Sequence, residues 1–251
     1  MEQHATYGLI GFPLGHSCSP KYFTEKFKQE GRNAEYLPFE IEDISELKNI
    51  LIRYSDLKGF NITIPHKQNI IPLLNRMSEE AEQVGAVNCV KVERINGEIH
   101  LTGYNTDVYG FKNSLLEFIP RSIKKALVLG NGGAAKAVRY ALHSLGMDVL
   151  TVSRTPKTAA ETGYPEVPAL LGDYKLIVNT TPLGTWPKTE NCPDLPYEQL
   201  SPEHYLFDLV YNPETTEFMK RGAAAGAHTR NGFGMWKGQA EKSWEIWESK
   251  I

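Results

Sequence analysis

Two periods of apolar residues alternate along the chain. Short apolar runs suited to buried strands, "TYGLIGF", "AEYLPFEI" and "KGFNITI", are separated by segments with helical spacing such as "DISELKNILIRY". The pair Ser19-Pro20 predicts the start of the first helix, because serine caps free amides and proline at the first helical position loses no hydrogen bond. Pro65 is expected to stop the third strand. Together these elements read as a small βαβαβ unit. In "GAVNCVKVERINGEIHLTGYNTD" two β-rich runs flank Asn96-Gly97, a dipeptide that takes the positive φ angles of a tight hairpin turn. That hairpin closes the first predicted domain.

From Thr106, a good N-cap, "DVYGFKNSLLEF" has a helical pattern, and the basic connection "IPRSIKKA" leads into a second unit. This unit opens with the strand "ALVLG" and runs into Gly130, Gly132 and Ala135, a match to G-x-G-x-x-A. The first glycine makes the tight turn, the second lets a pyrophosphate approach the backbone, and the third small residue lets helix and strand pack closely. The helix "AAKAVRYALHSLG" follows, Gly146 ends it, and "MDVLTV" is the next strand. The alternation predicts an α/β protein of two domains, residues 1–105 and 106–235, with a C-terminal helix over 236–251 that packs back toward the first.

Composition narrows the partners. With 251 residues, 41% hydrophobic and 23% charged, the chain can bury a sizeable core, and a net charge of -3 gives no basic excess for a run of phosphates. Small molecules, not nucleic acid, are the expected partners. Cys18, Cys89 and Cys192 are scattered, without metal-ligand spacing, which suits a reducing cytoplasm. The N-terminus lacks a signal-peptide pattern and no apolar run reaches membrane-spanning length, so a cytoplasmic protein, monomer or homodimer, is expected.

The glycine-rich turn sits in the strand, turn, helix and strand order that a dinucleotide requires. Binders of NAD place an acid at the end of the second strand for the ribose hydroxyls, whereas this chain has Ser153 and Arg154. Asp148 precedes that strand and does not replace the acid. Arginine there suits the 2′-phosphate of NADP, with Ser153 and Thr155 as hydroxyl neighbours and Lys157 as a second cation. A solvated surface arginine is the plain alternative. A nicotinamide implies hydride transfer, and hydride transfer needs a proton donor. Tyr22 and Lys26 have Tyr-x-x-x-Lys spacing, but they lie in the first helix of the other domain, where such pairs are ordinary. Lys67 in "NITIPHK" and Asp107 in "YNTDVYG", both where strands give way to turns or helices, are the better candidates. A structural salt bridge is the alternative for that pair.

The strings "GFPLGHSCSP", "NITIPHK", "GAVN", "GYNTD", "GNGGAAKAV", "NTTPLG" and "NGFGMWKGQ" resemble, in order and spacing, those of shikimate dehydrogenase. The resemblance covers nearly the whole chain. It implies NADP-dependent, reversible reduction of 3-dehydroshikimate to shikimate in chorismate and aromatic amino acid biosynthesis. It also implies an N-terminal βαβ-type substrate domain and a C-terminal Rossmann domain separated by a cleft. Carried over position by position, Lys67 and Asp107 resemble the catalytic pair. Ser17 and Ser19 resemble the holders of the substrate carboxylate, with Thr63, Asn88, Tyr211 and Gln239 as further substrate contacts. Gly130, Gly132, Gly133, Ala134, Ser153, Arg154, Thr155, Asn179, Thr180, Gly234 and Met235 resemble cofactor contacts.

The chain departs from the family in two places. Ser153 stands where many members carry asparagine, and Cys89 where threonine is usual. A quinate/shikimate dehydrogenase with relaxed cofactor use is the rival within the class, and a non-catalytic NADP-binding regulator is the rival outside it. His16 and His66 read as neighbours of the site, not as ligands, since no third ligand lies at zinc spacing. Trp236, Trp244 and Trp247 lie near one face of the last helix, an arrangement more typical of core than of a cofactor box.

Overall fold

The computed structural model describes residues 4–15 and 17–249, so His16 lies outside the described residues. Along the first part of the chain run β1 (Ala5–Gly11), α1 (Ser19–Gln29), β2 (Ala34–Glu40), α2 (Leu47–Arg53) and β3 (Leu57–Ile62). They are followed by β4 (Arg76–Met77), α3 (Glu79–Val84), β5 (Cys89–Ile95) and β6 (Glu98–Tyr104). These strands form one mixed sheet in the order β2-β1-β3-β5-β6-β4. The βαβαβ unit supplies its parallel half, β2-β1-β3, and the hairpin β5-β6 adds antiparallel strands to the edge at β3. Asn96 and Gly97 both have positive φ, 53° and 86°, as a two-residue hairpin turn requires.

One face of this sheet buries Ile10, Leu57, Phe60, Ile62 and Val90. The other face is aromatic: Tyr7, Phe23, Phe27, Tyr36, Trp244 and Trp247 pack together, with Phe23 stacked on Tyr36 at 4.5 Å. Gly59 makes room for this cluster, since a Cβ there would lie 2.3 Å from the Trp247 indole. The Trp247 Nε1–H donates to the Val90 carbonyl at 3.0 Å, so the buried ring keeps a partner for its polar edge.

The second part contains α4 (Thr106–Leu116), β7 (Lys125–Leu129), α5 (Gly133–Ser144), β8 (Asp148–Val152), β9 (Glu161–Thr162) and α6 (Val167–Leu170). It continues with β10 (Leu176–Asn179), β11 (Tyr205–Asp208), α7 (Glu217–Ala224), β12 (His228–Arg230) and α8 (Phe233–Glu248). Its sheet is all parallel, in the order β12-β11-β10-β7-β8-β9. That is the order of a doubly wound dinucleotide fold, with the reversal of direction between β7 and β10. Gly146 at φ 71° ends α5 and aims the chain into β8.

By Cα proximity the chain divides into one unit running to Thr106 and resuming at Ala240, and a second from Asp107 to Gln239. The divide falls inside α8, so the three tryptophans of that helix belong to different units. Trp244 and Trp247 join the aromatic core of the first unit, while Trp236 lies in the second, 5.6 Å from the rings of Tyr211 and Phe233. A shared helical face meets different surroundings along its length.

The start of α1 also differs from the sequence reading. Ser19 is its first residue and not its cap, and Cys18 in the cap position makes no side-chain cap bond. The hydroxyl of Ser17 instead accepts the Ser19 N–H at 3.3 Å. Ser19 is buried, and its own hydroxyl bonds the Tyr36 phenol.

Candidate active site

In the first unit the candidate residues follow the carboxyl ends of adjacent parallel strands, the usual position for a site on such a sheet. The segment after β1 carries Ser17 and Ser19, and the turn after β3 carries Thr63 and Lys67. Backbone bonds fasten the two segments together: Phe12 N–H donates to Ile64 O at 3.0 Å and Thr63 N–H to Ile10 O at 2.9 Å. Thr63 and Lys67 are half-buried, and the Lys67 carbonyl accepts the Val87 N–H at 2.8 Å. His66 between them is buried, with Nε2 2.8 Å from the Ile41 carbonyl and Nδ1 without a partner. Among the described residues no group of three or more His, Cys, Asp or Glu could hold a metal ion.

Behind these residues lies a buried polar chain that sequence reasoning missed. The Ser19 hydroxyl bonds Tyr36, and the Tyr36 phenol donates to Asn61 Oδ1 at 2.9 Å. Asn61 Nδ2 donates to Ser243 Oγ at 2.8 Å and to the Asn88 carbonyl at 3.2 Å, and the Ser243 hydroxyl lies 3.1 Å from Thr106 Oγ1. Asn88 closes the chain: its Oδ1 accepts the Thr106 N–H at 2.6 Å and its Nδ2 donates to Thr106 Oγ1 at 3.0 Å. Asn88, placed among the substrate contacts by resemblance, also anchors the first turn of α4. A fully partnered buried network of this kind fixes the elements it joins. The available signal was Asn61 itself, a polar residue within the apolar strand β3.

Asp107 follows Thr106 in that first turn and is 8% exposed. One turn on, Gly110 allows α4 and α8 of the second unit to touch, since a Cβ there would lie 2.3 Å from the Met235 carbonyl and 2.8 Å from the Gln239 amide. Gln239 is thereby held beside the Asp107 helix. Met235 is buried, Gly234 packs against Ser114, and Tyr211 lies beside Trp236. Lys67 belongs to the first unit and Asp107 opens the second.

The dinucleotide features gather at the carboxyl ends of β7, β8 and β10. Gly130 has φ 99°, a conformation that favours glycine, and its N–H donates to the Val152 carbonyl at 2.9 Å. Gly132 and Gly133 have open space where a Cβ would stand, and Gly132 caps α5 without a side-chain bond. The first amides of a twelve-residue helix, Ala134 among them, thus meet an uncrowded cradle, which fits a pyrophosphate. At the switch point the Thr180 N–H and hydroxyl both donate to the Leu129 carbonyl, at 3.0 and 2.6 Å.

Asn179 is fully buried and its side chain is hydrogen-bonded at both ends. Its Nδ2 donates to Asp208 Oδ1 at 2.9 Å, and its Oδ1 accepts from the Thr181 N–H at 3.0 Å and the Thr181 hydroxyl at 2.6 Å. It shapes the loop after β10 from inside. Asp208 was not singled out from sequence, although an acid ending the apolar strand "YLFD" is a signal of the same kind as Asn61.

After β8, Ser153 is half-buried while Arg154, Thr155 and Lys157 are exposed. No helix crosses from β8 to β9, so the chain turns back within residues 153–160. Glu161 arrives beside Ser153. Tyr22 and Lys26 are explained by the first unit alone: the Tyr22 hydroxyl donates to Glu241 Oε1, and Lys26 Nζ lies 2.8 Å from Glu241 Oε2 and 2.8 Å from Glu30. Burial, reinforced by Glu241, raises the Tyr22 pKa further above its ordinary value.

Comparison with known proteins agrees with this geometry. The sequence model of the shikimate dehydrogenase substrate binding domain matches residues 9–90. A shikimate dehydrogenase (NADP(+)) of Clostridium beijerinckii is 39% identical over 96% of this chain and 91% of its own. The crystal structure of shikimate dehydrogenase from Aquifex aeolicus superposes with a TM-score of 0.86 at 36% identity, covering 98% of this chain and 92% of that one. The Thermus thermophilus enzyme, in complex with NADP(H) and shikimate, gives 0.84 at 30% identity over 98% and 94%. The doubly wound sheet with its glycine cradle, shared with NADP-dependent shikimate dehydrogenases over nearly the whole chain, defines an NADP-dependent oxidoreductase. The chain belongs to the shikimate dehydrogenase family.

Proposed function

We propose that this chain catalyses the reversible NADP-dependent reduction of 3-dehydroshikimate to shikimate, in the cytoplasm, with Lys67 and Asp107 as the catalytic pair. The first unit takes the substrate and the second the dinucleotide. The observation that carries this reading is the convergence of Ser17, Ser19, Thr63 and Lys67 on the carboxyl ends of β1 and β3, tied together by backbone bonds.

When bound in its reduced form, NADPH, the dinucleotide would supply the hydride to the carbonyl carbon, and NADP+ would take it back in the reverse direction. The Lys67 ammonium donates the proton to the carbonyl oxygen as charge develops there, the general-acid role that hydride addition requires. Asp107, a charged group in the first turn of α4, accepts hydrogen bonds from the substrate hydroxyls. Ser17 and Ser19 hold the carboxylate at the start of α1, where hydroxyls and helix amides both favour an anion. Thr63, Asn88, Tyr211 and Gln239 offer polar groups to the ring. Gly130, Gly132, Gly133 and Ala134 cradle the pyrophosphate, Arg154 with Ser153 and Thr155 takes the 2′-phosphate, and Thr180, Gly234 and Met235 serve the nicotinamide end. Steady-state oxidation of shikimate and of quinate, each with NADP and with NAD, tests the proposal. Turnover of shikimate with NADP supports it, and turnover of neither alcohol with either cofactor contradicts it.

A further inference from the structure

The adenosine end of the dinucleotide site contains an acid that the glycine turn and Arg154 do not foretell. Glu161 begins β9, paired with Thr151 of β8, and its side chain reaches into the loop that carries Arg154. Its Oε1 accepts from Asn131 Nδ2 at 2.9 Å, and Asn131 is the residue between the first two glycines of the fingerprint. Its Oε2 accepts the Lys157 N–H at 3.0 Å and the Ser153 hydroxyl at 3.4 Å. The Asn131 amide is fixed at its other end as well, because Arg139 Nη1 donates to Asn131 Oδ1 at 2.8 Å. One carboxylate therefore joins the glycine turn to Ser153 and Lys157 in the loop that carries Arg154.

We propose that Glu161 is a specificity-determining residue for the 2′ substituent of the adenosine ribose, and that it narrows the preference for NADP over NAD. The inference rests on the cofactor reading above and uses only groups of the second unit. Two chemical consequences point the same way. A 2′-phosphate brought to Arg154 also meets a carboxylate of like charge, and it competes with that carboxylate for the Ser153 hydroxyl and the Lys157 amide. A 2′-hydroxyl instead finds an acceptor, the service that NAD binders obtain from an acid at the end of the second strand. Here the acid comes from the start of β9. It is within reach because residues 153–160 turn back without a helix.

A carboxylate that merely staples this loop affects both cofactors alike, so the ratio of affinities separates the two roles. Calorimetric titration of the full chain with NADP and with NAD supplies that ratio for the wild type, Glu161→Gln and Glu161→Ala. Glutamine keeps an acceptor and the side-chain length while removing the charge. The proposal predicts that the ratio of the NAD to the NADP dissociation constant rises about tenfold in Glu161→Gln, chiefly through tighter NADP binding, and in the same direction in Glu161→Ala. A ratio within twofold of wild type in both variants, whether the two constants stay put or move together, overturns it and leaves the staple. A wild-type chain that binds neither dinucleotide overturns the cofactor reading as well, which keeps the two failures distinct.

Discussion

Thr216 donates its hydroxyl proton to Asp208 Oδ2 at 2.6 Å, at a position where both residues are fully buried. Asp208 Oδ1 meanwhile accepts the Asn179 amide at 2.9 Å and the Val210 N–H at 3.0 Å. The carboxylate thus ties the loop after β10 to the start of α7, whose N-cap is Thr216. Burial outweighs these three donors and pushes the Asp208 carboxyl up to about 6.

A carboxyl whose pKa is raised by folding favours the folded state while protonated, and loses that contribution as pH rises through the folded value. Stability should therefore fall between about pH 4 and pH 7 by more in the wild type than in Asp208→Asn, with a difference on the order of 3 kcal/mol. Urea unfolding of both proteins across that range checks it. Parallel stability profiles would show that the buried carboxyl does not titrate there.

The two serines at the start of α1 separate cleanly. Ser17→Ala removes an acceptor for the Ser19 N–H, and Ser19→Ala removes a buried hydroxyl bonded to Tyr36. Both should raise KM for shikimate more than they lower kcat, because a carboxylate remote from the reacting carbon is held equally in ground and transition states. Ser19→Ala should also cost about 1 kcal/mol of stability through the lost buried bond. Unchanged KM in both variants moves the carboxylate elsewhere.

Tyr22 and Lys26 are bound to Glu241 and need no catalytic role. Tyr22→Phe should keep turnover within about threefold of wild type and lower stability by about 1 kcal/mol through the lost bond to Glu241. A fall of roughly 10²-fold in kcat, the scale of a lost general acid, makes the tyrosine a proton donor after all.

Much of the fold was legible in the chain because its signals are local. The period of the apolar residues, the Asn96-Gly97 turn and the glycines around α5 each act within a few residues. The missing parts depend on pairings distant in sequence. Ser19 looked like a cap because capping is a local habit, but it is the first residue of the helix and its hydroxyl bonds the Tyr36 phenol. That Asn88 bonds Thr106 and Asn179 bonds Asp208 was not legible either, because each partner lies 18 or more residues away. Glu161 carried no motif at all. Its place beside Ser153 follows from a crossover that lacks a helix.

The central claim rests on Lys67, half-buried in the turn after β3. The direct measurement is the steady-state rate of shikimate oxidation with NADP in Lys67→Met, with circular dichroism and NADP titration on the same preparation. Loss of the proton donor should depress kcat by roughly 10²-fold to 10⁴-fold while fold and NADP affinity stay near wild type. A folded, NADP-binding Lys67→Met protein that oxidises shikimate at close to the wild-type rate would contradict the assignment.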